Sequence, residues 1–147
     1  MIEALSTARN RTHTFVWLGV CCALSAAAAV VGISDNPPGI LVAYGAATAL
    51  VLAFVHAWRS AEKFWRLLYG SALALAASAV LHNFFEAIAE QAEGVCALQL
   101  LLQGLAVAAF LVAVLVCPPA IVVGAVGSVV MLIRNRRRPK PDRDTSG

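Results

Sequence analysis

The stretch from Gly94 to Ile133 reads GVCALQLLLQGLAVAAFLVAVLVCPPAIVVGAVGSVVMLI and carries no charged residue in 40 positions. About 20 helical residues cross a bilayer core of roughly 30 Å, so a run of this length is typical of a membrane protein. Three other uncharged runs precede it, at Thr12–Ser34, Asn36–Trp58 and Leu67–Phe85. The sequence therefore predicts an all-α integral membrane protein.

Composition supports the same class. Hydrophobic residues make up 61% of the 147 positions and charged residues 13%, against about 45–50% and about 25% in soluble domains. A soluble protein of this size would leave much of that apolar surface in water. The basic residues sit at the ends of apolar segments instead of covering one face, so we expect anionic lipid headgroups as partners and no nucleic acid.

The basic residues also predict the topology. They form three clusters: Arg9/Arg11, Arg59/Lys63/Arg66, and six residues between Arg134 and Arg143. Pro118-Pro119 interrupts the last uncharged run, which is either one long broken helix or two helices joined by a turn at Cys117–Pro119. With four crossings all eleven basic residues lie on one side; with five they divide almost equally. The positive-inside rule favours four crossings of the cell membrane, with both termini cytoplasmic.

These observations give one transmembrane domain, residues 1–133, and a basic, disordered cytoplasmic tail, 134–147. The four helices are expected at about 13–33, 38–57, 64–93 and 95–133. Helices three and four are longer than a bilayer and should form a projecting hairpin that turns at Gly94, with the last helix kinked by proline. The short linker should make helices two and three antiparallel neighbours. Asn36 is expected to cap helix two and Pro37 to occupy its first position.

Aromatic and basic side chains at the cytoplasmic ends are the expected membrane anchors, because an indole ring lies well between acyl chains and water. The anchoring residues are Trp17, Trp58, Trp65, Arg134, Arg136, Arg137 and Arg138. Small-residue pairs at four-residue spacing, such as Gly124/Ser128, allow close helix packing. Alanine is so frequent here that these pairs do not identify a particular interface.

The most distinctive polar pattern is His82, Glu86 and Glu90, each four residues apart and so on one helix face. A histidine and two carboxylates at this spacing could hold a divalent metal or relay protons. A solvated acidic face on the projecting part of helix three explains the pattern more simply, and we expect no bound metal. Gln99 and Gln103 share a face one turn apart and are expected to donate interhelical hydrogen bonds.

Two further patterns have a functional and a structural interpretation. His13 and His56 should face each other near the cytoplasmic surface, where two histidines could ligate haem iron or simply contact headgroups. We favour the second interpretation and expect no cofactor. A helix broken at Pro118, with Gly124 and Gly127 beyond it, could expose carbonyls to an ion. A simple proline kink is the favoured alternative.

No motif indicates an enzyme, since HExxH, GxSxG, P-loop and CxxC sequences are missing. The turn sequences Ser34–Ile40 and Cys117–Ala120 resemble those of small prokaryotic multi-pass membrane proteins of no assigned activity, which implies a layout and no functional residue. We therefore expect a non-enzymatic scaffold or accessory subunit that engages a membrane-protein partner or a second copy. The alternatives are a small oligomeric channel or transporter, and a haem- or metal-binding membrane protein.

Overall fold

The computed structural model describes residues 5–33, 36–92 and 96–136, in which every regular element is helical. We number the helices α1 (Ala8–Val31), α2 (Pro37–Val55), α3 (Ala61–Gln91) and α4 (Cys96–Arg136). All four are long and apolar enough to cross a membrane. The predicted all-α class and the four helices are thus confirmed.

Helix lengths differ widely. At 1.5 Å per residue, α1 and α2 are about 36 and 28 Å long, whereas α3 and α4 are about 46 and 62 Å. Helix α4 continues through Arg136, so the first three residues of the predicted tail are helical. Residues 137–147 and Gly94, the predicted turn residue, lie outside the described residues.

The prolines do not divide α4. One π turn, Val112–Val116, precedes them, and the Cys117 amide donates to the Val112 carbonyl five residues back. A π turn widens the helix locally, which accommodates the proline rings that would otherwise clash with the preceding turn. The alternative of two helices joined by a turn at Cys117–Pro119 is therefore wrong.

The helices pack in the order α1, α2, α4, α3. Helix α1 packs against α2, α2 also contacts α4, and α4 packs along α3. Backbone contacts within 8 Å are missing between α2 and α3 among the described residues, so the prediction that these two are packed neighbours is wrong. Helix α4 lies beside both of them.

Two glycines of α4 allow α3 to pack closely against it. A Cβ atom on Gly124 would lie 2.9 Å from the backbone nitrogen of Leu68 and 3.0 Å from its Cα, and one on Gly127 would overlap the Phe64 ring. Ser128 is buried one turn beyond Gly124 and donates to that residue's carbonyl. The Gly124/Ser128 pair therefore belongs to the interface within the bundle.

Two glycines also close the turn between α1 and α2. Gly32 has φ +83°, a backbone conformation that side chains disfavour. A Cβ on Gly39 would overlap the Gly32 carbonyl oxygen. Pro37 opens α2 as predicted, but Asn36 makes no side-chain cap and instead donates from Nδ2 to the Val31 carbonyl at 2.9 Å. Asn36 therefore occupies the predicted N-cap position, but without the side-chain hydrogen bond to α2 that a cap would form.

The bundle has two distinct ends. The basic end holds the start of α1, the α2–α3 linker and the end of α4, with the described members of all three basic clusters. The acidic end holds the α1–α2 turn, Glu86 and Glu90. There the Cys96–Leu111 part of α4 packs on α3, and neither α1 nor α2 contacts it among the described helices.

Candidate functional site

A polar cleft of about 350 Å³ opens between α3 and α4 at the acidic end. We call it the tip cleft. Its polar lining consists of His82, Glu86, Glu90, Gln99 and Gln103. Its apolar lining includes Ala89 and Ala106, and both residues are buried. Because these side chains are small, the two helices can pack closely beneath the polar groups. The structure thus brings together the predicted acidic face of α3 and the glutamine face of α4.

His82 is the most constrained of these side chains. Its Nδ1 lies 3.0 Å from the carbonyl oxygen of Ala106 on α4, and its ring lies 5.3 Å from the Phe110 ring, centroid to centroid. Because a carbonyl only accepts, Nδ1 carries the hydrogen in this contact. In the neutral imidazole Nε2 is then an acceptor. His82 therefore joins α3 to α4, and its Nε2 lies toward Glu86.

The cleft is rich in hydrogen-bond acceptors. Nε2 of His82 lies 3.6 Å from Oε2 of Glu86, with the two side chains 29% and 59% exposed. That distance exceeds ordinary hydrogen-bond length, and the two groups form an ion pair only when His82 is protonated. The carboxylates of Glu86 and Glu90 accept only, while the carboxamides of Gln99 and Gln103 both donate and accept. A ligand with several N–H donors and positive charge would suit this set.

The arrangement differs from a metal centre. Among the described residues, no three His, Cys, Asp or Glu side chains converge closely enough to hold a metal ion. His82 and Glu86 approach each other, and Glu90 lines the same cleft one turn further on. The three predicted ligands therefore share a face without converging on one point.

His13 and His56 do meet at the basic end, with ring centroids 6.0 Å apart and planes tilted by 53°. Nδ1 of His56 lies 3.0 Å from the Ala53 carbonyl oxygen, which leaves Nε2 as the nitrogen available for a metal. That Nε2 is covered by surrounding atoms and has no hydrogen-bond partner in the described part of the chain. In this arrangement it offers no open position to haem iron.

The last predicted pattern is Pro118 followed by Gly124 and Gly127, and its two glycines serve helix packing. Gly124 and Gly127 lie directly against Leu68 and Phe64, so their small size serves the α3–α4 interface. The π turn before Pro118 remains the unusual feature of this region. The carbonyl of Val114 would ordinarily accept from residue 118 or 119, and both are prolines without an amide hydrogen.

The described residues among the predicted anchors lie at the basic end. Trp58 packs edge-on against Phe64 at 5.5 Å, and Trp65 stacks on Tyr69 at 5.5 Å. Trp17 is half-buried on α1, and Arg134 and Arg136 are exposed in the last turn of α4. Arg137 and Arg138 lie outside the described residues.

Sequence reasoning did not connect Gln99 and Gln103 with His82. Their common face was visible as a four-residue spacing, but their position along α3 depends on the register of the hairpin, which spacing does not reveal. We found no protein-family model, curated protein or solved structure that matches the chain. Function must therefore be inferred from the geometry itself.

Proposed function

We propose that the chain is an integral membrane protein with four crossings and both termini in the cytoplasm, and that it acts by binding a partner instead of catalysing a reaction. It would serve as a scaffold or accessory subunit of the cell membrane. The observation that carries this proposal is the tip cleft, an acidic, acceptor-rich site beside the part of α4 that neither α1 nor α2 contacts among the described helices.

The depth of the cleft supports a position near the outer surface. His82 is 17 residues beyond Trp65 on α3, or about 26 Å along the helix. With Trp65 at the cytoplasmic interface, His82 lies near the far edge of a hydrocarbon core of about 30 Å, and Glu90 lies beyond it. The carboxylates then meet water or headgroups, where charge is inexpensive.

Exposed apolar side chains cover the faces of α3 and α4 that point away from the cleft. Phe84, Leu98, Leu101 and Leu105 are all exposed there, between 41% and 61%, and Val107, which lines the cleft itself, is 56% exposed. Apolar surface on the same tip as charged groups is typical of a protein-interaction site. The partner should therefore present an apolar helix face and a Lys or Arg side chain that enters the cleft.

Charge favours a different protein over a second copy as that partner. The sequence contains no Lys or Arg between Arg66 and Arg134. In a parallel dimer the acidic tips would lie side by side, and their carboxylates would repel each other. A heterologous partner with an outward-facing basic residue avoids this cost.

Site-specific photo-cross-linking in intact cells tests the proposal. A photoreactive amino acid at Val107, an exposed residue that lines the cleft, should give one discrete adduct, whereas the same group at Val129, exposed near the basic end of α4, should give only lipid products. The Val107 adduct should be lost in the double variant Glu86→Gln/Glu90→Gln and kept in Glu62→Gln, which removes a carboxylate at the basic end. An adduct that persists without both tip carboxylates would overturn the proposal.

Transport is the second candidate, and the π turn favours it. The Val114 carbonyl lacks an amide donor midway along a helix of membrane-spanning length, and such carbonyls coordinate ions in transporters. The His82/Glu86 pair would form the outer entrance of the pathway. Proteoliposomes with wild type, Glu86→Gln and Pro118→Ala should then show cation flux that both variants alter. Equal, background flux in all three would exclude this candidate.

A further inference from the structure

A second cavity lies at the basic end, where the described residues of α2 and α3 do not pack against each other. This basic-end pocket has a volume of about 340 Å³ and is lined mainly by apolar side chains. Leu52 and Val55 of α2 form one wall and Phe64 of α3 another, with Trp58 of the linker between them. Helix α4 provides the floor through a valine-rich face that ends at Val130 and Met131.

The surroundings of the pocket are cationic. Arg59 directly follows the pocket residue Trp58, and Lys63 directly precedes Phe64. Arg134 lies four residues beyond Val130 and three beyond Met131, so it continues the helix face that lines the pocket. Arg59 and Arg134 are exposed, and neither forms an ion pair with a described residue, whereas Arg66 pairs with Glu62.

We propose that the basic-end pocket is a specific site for an anionic phospholipid of the cytoplasmic leaflet. One acyl chain occupies the pocket, and the phosphate group lies between Arg59 and Arg134. Basic pockets between membrane helices on the cytoplasmic side bind anionic headgroups in this way. A phospholipid is the expected occupant because its acyl chain would fill the apolar pocket. Its negatively charged phosphate would interact with the two arginines at the pocket opening.

Such a lipid would also have a structural effect. Because α2 and α3 contact α4 and not each other in the described structure, the acyl chain in the pocket would fill the space between them against the floor of α4. The site depends on the proposed membrane location but not on the tip partner. Its failure would leave the proposed role of the tip cleft unaffected.

Native mass spectrometry of the full chain in detergent, titrated with phosphatidylglycerol or phosphatidylcholine of identical acyl chains, tests the proposal. Wild type should retain one phosphatidylglycerol in preference to phosphatidylcholine. Arg59→Gln and Arg134→Gln should each weaken the phosphatidylglycerol complex about fivefold, the loss expected from one basic residue near an anionic headgroup. Val123→Trp, which fills the pocket, should abolish the bound species.

Two matched variants control for general effects. Arg136→Gln removes the same charge from α4 away from the pocket-lining face, and Val129→Trp adds the same bulk at an exposed position that does not line the pocket. Both should bind phosphatidylglycerol like wild type. Circular dichroism shows whether each variant is folded. Equal binding of the two lipids, or folded Val123→Trp protein that still holds phosphatidylglycerol, would overturn the proposal.

Discussion

Replacing Gly124 by alanine tests the close approach of α3 and α4 directly. The added Cβ would lie 2.9 Å from the Leu68 nitrogen, 3.0 Å from its Cα and 3.1 Å from its Cβ. Carbon atoms pack best at about 3.5–4.0 Å, so the two helices must separate by roughly 0.5 Å or more. The obstructing atoms include helical backbone, which cannot rotate away as the end of a long side chain would.

The expected change in the free energy of unfolding combines two opposing contributions. Overpacking a well-packed interface costs about 1–3 kcal/mol, while alanine improves helix propensity over glycine by up to about 1 kcal/mol. Gly124→Ala should therefore lower the free energy of unfolding by about 1–2 kcal/mol. Gly104→Ala is the matched control on the same helix, because no atom lies within 4 Å of its Cβ position. It should leave stability unchanged or raise it slightly.

Unfolding of both variants in the same detergent, followed by circular dichroism, measures the difference. Gly124→Ala should unfold at a lower denaturant concentration than wild type, and Gly104→Ala should not. Equal stability of the two variants would refute the inference that glycine sets the α3–α4 distance.

Four further predictions use comparably simple measurements. Gly39→Ala should destabilise the α1–α2 turn by about 1–3 kcal/mol, because its Cβ overlaps the Gly32 carbonyl, whereas Gly19→Ala, which meets no atom within 4 Å, should be tolerated. His82→Phe should lower unfolding stability by about 1 kcal/mol through loss of the bond to Ala106, and a stability equal to wild type would count against that bond. In single-cysteine proteins, an impermeant maleimide added to intact cells should label the exposed Cys96 and spare the buried Cys117; labelling of Cys117 would contradict the packing. Haemin added to purified protein should give no bis-histidine absorption spectrum, because Nε2 of His56 is covered; such a spectrum, lost in His56→Ala, would contradict this geometry.

The helices themselves could be predicted from the sequence because their signals are local. Uncharged runs, basic ends and the proline at position 37 determine where the chain can cross a bilayer and where α2 begins. The balance of charge also indicated that residues 94–133 form one helix, and the structure shows a continuous α4. The π turn was not predicted, since the two prolines indicate a disturbed helix but not how the preceding turn adjusts.

Helix packing could not be predicted in the same way. A membrane helix is apolar around its whole circumference, so no hydrophobic stripe marks the face that meets a neighbour. In the sequence, Gly124 is one of many small residues at four-residue spacing. Only the structure shows that Leu68 packs against it. One wall of the tip cleft could be predicted from the sequence, because the four-residue spacing of His82, Glu86 and Glu90 places them on one face of α3. The opposite wall depends on how far α4 is shifted along α3.

The packing order of the helices has a consequence for biosynthesis. Helix α1 has its partner as soon as α2 is synthesised, and this first hairpin can assemble alone. Helix α3 has no such partner, because it packs only on α4 among the described helices. At about 5–20 residues per second, the 45 residues from the end of α3 to the end of α4 take about 2–9 s. During that interval α3 stands alone in the lipid, so nascent chains arrested after α3 are the ones that membrane quality control should recognise.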